Sequence, residues 1–432
     1  MAASYFPQWT EKTSGVIAPD ARLPWAQAIP LGVQHVIAMF GATVLAPLLM
    51  GFDPNVAILM SGVGTLIFFL IVGGRVPSYL GSSFAFIGVV IAATGYSGTG
   101  ANASIPVALG GIIACGAVYA LIGLVVMAAG TQWIERAMPS VVTGAIVAVI
   151  GLNLAPIAVK SATATPFDAW MALMTVLCVA AVAVFTRGML QRLPILVGLI
   201  LAYVLYALFT NAMGLGKPVE WSGVANAAWI GLPRFAAPSW SGPAIALIAP
   251  VAIVLVAENL GHIKAVSAMA ERNLDPYMGR AFLGDGVATM IAGAVGGTGV
   301  TTYAENIGVM AVTRIYSTLL FVVAAVIAIL LGFSPKFGAL IQTIPVPVLG
   351  GVSIVVFGLI TIAGARIWVQ SRVDFGDSRN LVVAAVTLVL GAGDFTLRMG
   401  SFALGGIGTA TFGAIILYAL LGAVPRARER NV

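Results

Sequence analysis

Long apolar runs recur from near the N-terminus to near the C-terminus, separated by short polar or Gly- and Pro-containing stretches. An α-helix needs about 20 predominantly apolar residues to cross the hydrocarbon core of a bilayer, and many runs reach this length. We count fourteen such segments, with centres near residues 40, 64, 90, 118, 148, 177, 202, 252, 287, 305, 324, 354, 385 and 413. The pattern predicts an all-α polytopic membrane protein without a separate soluble domain.

Composition and the placement of charge agree with this prediction. Hydrophobic residues make up 60% of the 432 positions and charged residues 8%, whereas soluble proteins carry roughly 25% charged residues. The net charge of +6 does not indicate nucleic-acid binding, because 16 of the 21 Lys and Arg fall on one side of the predicted membrane. Cytoplasmic loops carry such an excess, so we expect an even number of spans and cytoplasmic N and C termini.

Two further sequence features exclude other readings. The first residues of the chain are polar and contain Pro and acidic residues, which is not the pattern of a cleaved signal peptide. Cys115 and Cys178 both lie in apolar runs, so they predict neither a disulfide nor a metal site.

The two halves of the chain share short patterns. GSSFAFIGVV at 81–90 and TTYAENIGVM at 301–310 both place small or hydroxyl residues before an aromatic residue and then share IGV. MPSVVTGAIVAVIG at 138–151 similarly resembles IPVPVLGGVSIVVFG at 344–358. A seven-span unit that occurs twice must be inverted in the membrane, and inverted repeats are typical of transporters. Chance similarity between Gly-rich apolar segments is the alternative.

The segments around 78–84 and 298–304 are rich in Gly, Ser and Thr. This composition favours a short extended piece followed by a half-helix. Non-helical backbone at membrane depth is tolerated only where it is buried in protein or lines a cavity. We therefore expect two short antiparallel strands that break segments 3 and 10 and face each other in the middle of the protein.

Three of the fifteen acidic residues, Glu258, Asp285 and Glu305, lie inside predicted spans, as do both histidines, His35 and His262. Ionisable side chains within the membrane are rare and usually functional. Glu258 and His262 are four residues apart and share a helix face.

Each of these residues also has a structural interpretation. Glu258 and His262 could stabilise a helix end as a pair, and Asp285 could bond to the backbone of a neighbouring helix. His35 could join two helices by a hydrogen bond. For Glu305, next to an amide side chain in a predicted helix break, a purely structural role is the weaker alternative.

The motifs around these residues resemble those of one transporter family. ENIGVMAVTR at 305–314 fits the motif of nucleobase–ascorbate transporters (nucleobase:cation symporter 2). QHVIAMFGATVLAP at 34–47, VPSYLGSSFAFI at 76–87 and VAENLGHIKAV at 256–266 occur in the family's order. The resemblance covers about residues 25 to 424 and is strongest to the bacterial pyrimidine and uracil permease branch.

This resemblance implies fourteen transmembrane segments in two inverted seven-segment repeats. A core domain holds segments 1–4 and 8–11, and a gate domain holds segments 5–7 and 12–14. The implied boundaries are a cytoplasmic N-terminal tail at 1–25, core at 26–131 and 241–335, gate at 132–213 and 336–424, and a cytoplasmic C-terminal tail at 425–432.

The resemblance also assigns site residues by motif. The substrate-binding set is Glu258, Glu305, Phe84, Ala304, Tyr303 and His262, with Phe84 and Ala304 contributing backbone amides. The proton-coupling set is Glu258, His35, Asp285, Asn306 and Ser353. Ala304 replaces a Gly of the uracil permeases, which keeps the amide but adds a methyl group to the pocket wall. Asp285 replaces an Asn, so details of coupling are open.

The chemistry of the two glutamates agrees with a nucleobase substrate. Uracil presents two N–H donors and two carbonyl acceptors, and two carboxylates with two backbone amides match these numbers. Xanthine has the same imide edge, so the pattern alone does not separate pyrimidines from purines. Phe84 or Tyr303 could cover a face of the ring.

We therefore predict proton-coupled uptake of uracil, with thymine as a further substrate, across the cytoplasmic (inner) membrane by an elevator-type movement. The expected partners are the nucleobase, membrane lipid and a second copy in a homodimer, with no nucleic acid. The proton is the coupling ion, and neither a metal nor another cofactor is expected. The alternatives are a xanthine or uric acid symporter of the same family and an anion transporter of the same fold. No motif of a membrane-embedded enzyme is present.

Overall fold

The computed structural model describes residues 4–96, 98, 100–188, 190–400 and 402–423, and its described chain is mainly helical. The helices of the first half are α1 (Trp25–Met50), α2 (Pro54–Ile71), α3 (Phe86–Thr94), α4 (Ile105–Ala129), α5 (Gln132–Ala137), α6 (Ser140–Ala162), α7 (Pro166–Phe185), α8 (Pro194–Ala207) and α9 (Ser222–Asn226). Those of the second half are α10 (Gly242–Ile248), α11 (Val251–Met269), α12 (Met278–Ala294), α13 (Ala304–Thr313), α14 (Thr318–Gly332), α15 (Pro335–Gln342), α16 (Val346–Gln370), α17 (Ser378–Ala392) and α18 (Gly406–Ala423).

Short strands and irregular turns connect these helices. The strands are β1 (Thr10–Glu11), β2 (Ala21–Arg22), β3 (Leu80–Ser82), β4 (Val300–Thr302), β5 (Leu397–Met399) and β6 (Phe402–Leu404). They form three separate pairs: β1 with β2 in parallel, and β3 with β4 and β5 with β6 antiparallel. A π-helical turn at Leu208–Ala212 extends α8, and 3-10 turns occur at Leu190–Arg192 and Asp275–Tyr277.

Nine helices of the described chain are long and apolar enough to cross a membrane, or ten if the bent pair α14 and α15 counts as one. Each predicted segment centre falls within a helix. Two of these helices, α3 and α13, have only 9 and 10 residues. These two helices are too short to span a bilayer alone. The chain is therefore a multi-pass membrane protein that contains two half-length helices, each following a strand.

The order of elements is the same in both halves. The series α1, α2, β3–α3, α4, α5, α6, α7, α8 is matched by α10–α11, α12, β4–α13, α14, α15, α16, α17, α18. Contacts between the halves are reciprocal, because α2 packs on α14, α4 packs on α12, and α6 packs on α16. Helices α1–α4 pack with α10–α14, and α6–α8 pack with α16–α18. Helices α1 and α11 carry contacts between these two groups.

Local sequence explains where several helices begin. The Asp53 side chain accepts from the Asn55 amide at 2.8 Å and caps α2, and Pro54 supplies the fixed φ that suits a first helical position. Pro139 and Pro345 occupy the N-cap positions of α6 and α16 in extended conformation. The match between these two prolines in the sequence therefore corresponds to equivalent helix starts.

Small residues allow the central helices to approach closely. A Cβ on Gly123 of α4 would lie 2.8 Å from the Gly279 carbonyl oxygen of α12, and one on Gly144 of α6 would lie 2.9 Å from the Gly364 carbonyl oxygen of α16. Both distances are shorter than van der Waals contact. Membrane helices associate largely through such packing, so glycine at these positions sets the spacing of the helix pairs.

The segment predicted as an N-terminal tail is folded against the helices from residue 4 onward. Trp9 stacks on Phe69 of α2 with 5.9 Å between ring centroids, and its Nε1 donates to Thr318 Oγ1 of α14 at 2.9 Å. Ile17 forms a parallel bridge with Ile315. The predicted C-terminal tail, 425–432, lies outside the described residues.

Candidate functional site

The centre of the site is the antiparallel pair β3–β4. Leu80 pairs with Thr302, Gly81 with Thr301 and Ser82 with Val300, and all six residues are buried. A Cβ on Gly81 would lie 2.6 Å from Thr43 Oγ1 of α1. Only glycine therefore fits at the middle of β3, where the strand crosses α1.

Each strand leads directly into a half-helix whose N-terminus carries no side-chain cap. Helix α3 begins after Ala85 and helix α13 after Tyr303. The first N–H groups of a helix have no partner within it, and this end carries partial positive charge. The Phe84 and Ala304 amides lie at these two starts, and Ala304 is exposed.

Two acidic residues lie on the neighbouring helices α11 and α13. Glu305 lies in the first turn of α13, and Glu258 lies in α11, which packs against α13. The two side chains are close enough to interact electrostatically. The structure thus brings together the two acids that the sequence places 47 positions apart.

Tyr303 and His262 also join this cluster. The Tyr303 hydroxyl donates to the Ser82 carbonyl oxygen at 2.8 Å and accepts from Thr43 Oγ1 at 3.0 Å, so it ties β3 and α1 together. His262 Nδ1 lies 2.9 Å from Thr302 Oγ1. The two residues are therefore held by the strand pair, and the hydroxyl of Tyr303 is already occupied by protein.

Asn306 and His35 connect α13 to α1. Asn306 Nδ2 lies 3.0 Å from His35 Nδ1 and donates to the His35 carbonyl oxygen at 3.0 Å. The His35 ring packs against Phe321 with 4.8 Å between centroids. This contact fixes the α13 turn that carries Glu305.

Asp285 and Ser353 occupy other environments. Asp285 of α12 is fully buried and accepts from Asn259 Nδ2 at 2.6 Å and from the Tyr119 hydroxyl at 3.4 Å. Ser353 of α16 donates to the Leu349 carbonyl oxygen of its own helix at 2.7 Å. Asp285 therefore belongs to a neighbouring polar network, and Ser353 lies in the other helix group.

Five buried side-chain atoms of the described chain have no hydrogen-bond partner within it. They are His35 Nε2, Glu258 Oε2, Asp285 Oδ1, Thr301 Oγ1 and Asn306 Oδ1. An unsatisfied buried polar group costs about 1–3 kcal/mol. All five belong to residues on β4, α13 or the helices around them, so this region is built for polar partners beyond the chain's own side chains.

A cavity of about 660 Å³ reaches Glu305. One side of the cavity is lined by α1 and α13, through Ile37, Ala38, Gly41, Glu305, Gly308 and Val309. The other side is lined by residues of α8, of α16 and of the turn before α8. Its volume falls in the range of small-molecule sites. Arg366 of α16 also lines it.

Aromatic side chains meet where the two helix groups face each other. Phe84 packs edge-to-face on Phe357 of α16 with 5.9 Å between ring centroids. Phe84 therefore lies at the boundary between the groups.

Sequence reasoning missed several residues of the site. Asn259, Tyr119, Thr302 and Thr43 bind the predicted residues directly. Asn259 and Tyr119 had a detectable signal, because each is a polar side chain in a long apolar run. The two threonines had no such signal, because hydroxyl residues are frequent throughout the sequence.

Comparison with known proteins identifies one family of membrane permeases. A family model described as a permease family (Xan_ur_permease) matches residues 26–400. The chain is 70% identical over 425 residues to an Escherichia coli (strain K12) protein named pyrimidine permease RutG, covering 98% of this chain and 96% of that one. It is 44% identical over 418 residues to a uracil permease of Bacillus caldolyticus, with coverage of 93% and 94%. The uracil permease of Escherichia coli (strain K12) is 38% identical over 432 residues, with 97% of each chain covered.

Solved structures with the same fold are also membrane transporters. The murine Slc26a9 anion transporter in the inward-facing state has a TM-score of 0.67 at 11% identity, covering 92% of this chain and 68% of its own. The transmembrane domain of the cyanobacterial bicarbonate transporter BicA has a TM-score of 0.60 at 15% identity, with coverage of 85% and 96%. At these identities the likeness concerns the fold alone.

Proposed function

The chain belongs to the permease family whose model it matches, and from this premise we propose that it takes up pyrimidine nucleobases by proton symport. Membership makes it a membrane transporter and not an enzyme. Uracil is the proposed first substrate and thymine a further one. The names of the similar permeases support this choice.

One observation carries the proposal: acidic residues lie on the adjacent helices α11 and α13 at an uncapped helix start, and the β3–β4 pair joins this start to the second one. The carboxylates of Glu258 and Glu305 can accept from the N–H groups of an imide edge, and the Phe84 and Ala304 amides can donate to its carbonyl oxygens. Hydrogen bonds to ionised groups are roughly twice as strong as neutral ones. A small, flat, uncharged base has both the N–H donors and the carbonyl acceptors that these groups would bind.

Xanthine or uric acid is the second candidate substrate, because these purines share the imide edge. A competition panel separates the candidates. Unlabelled uracil and thymine should displace labelled uracil from the purified protein, whereas xanthine, uric acid and ascorbate should displace it weakly. Displacement of labelled uracil by xanthine at lower concentrations than by unlabelled uracil or thymine would contradict the pyrimidine assignment.

Anion transport is the remaining alternative, since the solved structures of this fold include anion transporters. Uncapped helix N-termini can bind anions. Here, however, Glu305 lies in the first turn of α13 and Glu258 lies on α11, which packs against α13. Ionised carboxylates at this position would repel an anion, so the local charge favours a neutral solute.

We propose that the fourteen segments form two inverted repeats of seven. The repeated order of elements and the reciprocal packing of α2 on α14 and α4 on α12 support this. The core domain would then comprise α1–α4 with α10–α14, and the gate domain α6–α8 with α16–α18. Transport would proceed by movement of the core along the gate, carrying the strand pair and the acid pair with it.

The proposed orientation places the 660 Å³ cavity towards the cytoplasm. Its wall includes Gly188, Gln191 and Arg366, and the neighbouring basic residue Arg187 belongs to the side that the charge distribution assigns to the cytoplasm. The protein would lie in the cytoplasmic (inner) membrane with both termini inside. The exposed apolar side chains of α7 and α17, such as Leu177 and Val389, would contact lipid or the second copy of a homodimer.

The proton is proposed to travel through the acid pair. A carboxyl group in an apolar environment prefers its neutral form, and a second acid nearby strengthens that preference. We assign substrate binding to Glu305 and the coupling proton to Glu258 with His262. His35, Asp285, Asn306 and Ser353 are secondary coupling candidates, of which His35 and Asn306 contact each other directly.

A further inference from the structure

A chain of hydrogen bonds leads from Asp285 to His262 through two side chains without an assigned role. Asn259 Nδ2 donates to Asp285 Oδ2 at 2.6 Å, and Thr302 Oγ1 donates to Asn259 Oδ1 at 3.3 Å. His262 Nδ1 lies 2.9 Å from Thr302 Oγ1. Asn259, Asp285 and Thr302 are at most 1% exposed, so bulk water does not compete for these bonds.

The oxygens around Asp285 determine which atom donates in each of these hydrogen bonds. The Tyr119 hydroxyl has one hydrogen, which it can give to the Leu255 carbonyl oxygen at 3.3 Å or to Asp285 at 3.4 Å. With Asp285 as a carboxylate, the Asn259 atom 2.6 Å from Asp285 Oδ2 is the amide nitrogen, and the Tyr119 hydroxyl accepts from the same nitrogen at 2.8 Å. The amide nitrogen of Asn259 faces both Tyr119 and Asp285, so its carbonyl oxygen must face Thr302.

The same donor and acceptor assignment extends to the imidazole ring of His262. If Thr302 gave its only hydroxyl hydrogen to His262, the buried Asn259 Oδ1 would lose the Thr302 donor 3.3 Å away, a loss that is costly in the protein interior. With this hydrogen on Asn259 Oδ1, Thr302 can only accept from His262. A neutral imidazole has one donor and one acceptor nitrogen. Nδ1 must then carry the proton, and Nε2 is left as the acceptor of the ring.

We propose that Asn259 and Thr302 are positioning residues that hold His262 as the Nδ1–H tautomer, with Nε2 free to accept from an N–H group of the base. This use of Nε2 rests on the proposed function. Glu258 lies one helical turn before His262 on the same face. While Glu258 is ionised, an N–H donor would thus find two acceptors on α11, whereas a carbonyl oxygen would be repelled by both.

The second histidine provides an internal reference with the opposite tautomer. The His35 carbonyl oxygen can only accept, so the Asn306 atom beside it is the amide nitrogen. The same nitrogen lies 3.0 Å from His35 Nδ1, which must therefore be an acceptor. His35 accordingly carries its proton on Nε2, and the only two histidines of the sequence should differ in tautomer.

Long-range ¹H–¹⁵N correlation spectra of the full chain, labelled with ¹⁵N-histidine and held in lipid nanodiscs, test this inference. We expect one Nδ1–H ring and one Nε2–H ring without substrate. Thr302→Val keeps the shape but removes the hydroxyl, so it should convert the Nδ1–H ring to the Nε2–H form and weaken uracil binding about tenfold. Thr302→Ser should preserve both properties.

Thr387→Val is the matched control, because the Thr387 hydroxyl donates to the Val383 carbonyl oxygen within α17. It should change neither tautomers nor binding. Two Nε2–H rings in the unmodified protein, or an unchanged Nδ1–H ring in Thr302→Val, would overturn the inference. If Thr302→Val does not fold, the spectrum of the unmodified protein still decides. Since that spectrum needs no substrate, failure to bind uracil would contradict the proposed function separately.

Discussion

Glu305 occupies the first turn of α13, where no side chain caps the helix, and it lines the cavity. Glu305→Gln keeps the size of the side chain but replaces one acceptor oxygen by a donor. We expect uracil binding to weaken by about 1.5–3 kcal/mol, the range for a hydrogen bond to a charged group. Isothermal titration of the purified variant measures this, and unchanged affinity would remove Glu305 from the substrate site.

Glu258→Gln should separate coupling from binding. The variant cannot exchange a proton at this position, but it still offers one carbonyl oxygen to the base. We expect uracil counterflow between liposome interior and exterior to persist at a reduced rate, whereas accumulation driven by a pH gradient is lost. Gradient-driven accumulation that remains sensitive to a protonophore would show that the proton travels through another residue, with His35 and Asp285 as the next candidates.

The sequence singled out the acids of the candidate site because charge in an apolar run is conspicuous. It could not tell that Asp285 bonds to Asn259 while Glu258 approaches Glu305, since this depends on how α12 and α13 pack around α11. It also could not show that the Tyr303 hydroxyl is occupied by Ser82 and Thr43. The spacing of residues along a helix predicts which of them share a face, whereas their hydrogen-bond partners depend on how several helices pack together.

At the scale of elements, the strand pair was predictable and the helix spacing was not. Gly, Ser and Thr predicted extended backbone around 78–84 and 298–304, and β3 and β4 lie there and pair. The short helices α5, α9 and α15 escaped the hydropathy pattern because each has only 5 to 8 residues. Gly144 and Gly364 appeared as ordinary small residues, although they set the contact between α6 and α16.

This contact can be tested by adding one methyl group. Gly144→Ala would place Cβ 2.9 Å from the Gly364 carbonyl oxygen, so α6 and α16 must separate. Overpacking of this kind costs about 1–3 kcal/mol, and the midpoint of thermal unfolding in detergent should fall. Gly358→Ala is the control on α16, because its Cβ would meet no atom within 4 Å. Equal midpoints for the two variants would contradict the packing account.

For the whole molecule, the proposed transport movement requires the core to slide along the gate. Ideal geometry places a Cβ on Gly41 of α1 3.6 Å from Ile195 Cβ of α8, which suits a disulfide. Gly41→Cys with Ile195→Cys, after replacement of Cys115 and Cys178 by Ser, should therefore join core to gate. Oxidation should stop uracil transport, and reduction should restore it.

A cross-link within the core serves as the control for this experiment. A Cβ on Gly284 of α12 would lie 3.7 Å from Ile71 Cβ of α2, so Gly284→Cys with Ile71→Cys should also form a disulfide. Because both helices belong to the proposed core, oxidation should leave transport close to its reduced rate. Undiminished transport with the Gly41–Ile195 disulfide formed would contradict an elevator movement.

The most direct test of the central claim is uracil accumulation by the purified protein in sealed liposomes. With an acidic exterior, the interior concentration of labelled uracil should rise above the exterior concentration, and a protonophore should return it to equilibrium. Unlabelled thymine should compete, and xanthine should compete weakly. Uptake that only equilibrates uracil whatever the pH gradient, or accumulation of xanthine but not of uracil, would contradict proton-coupled transport of pyrimidines.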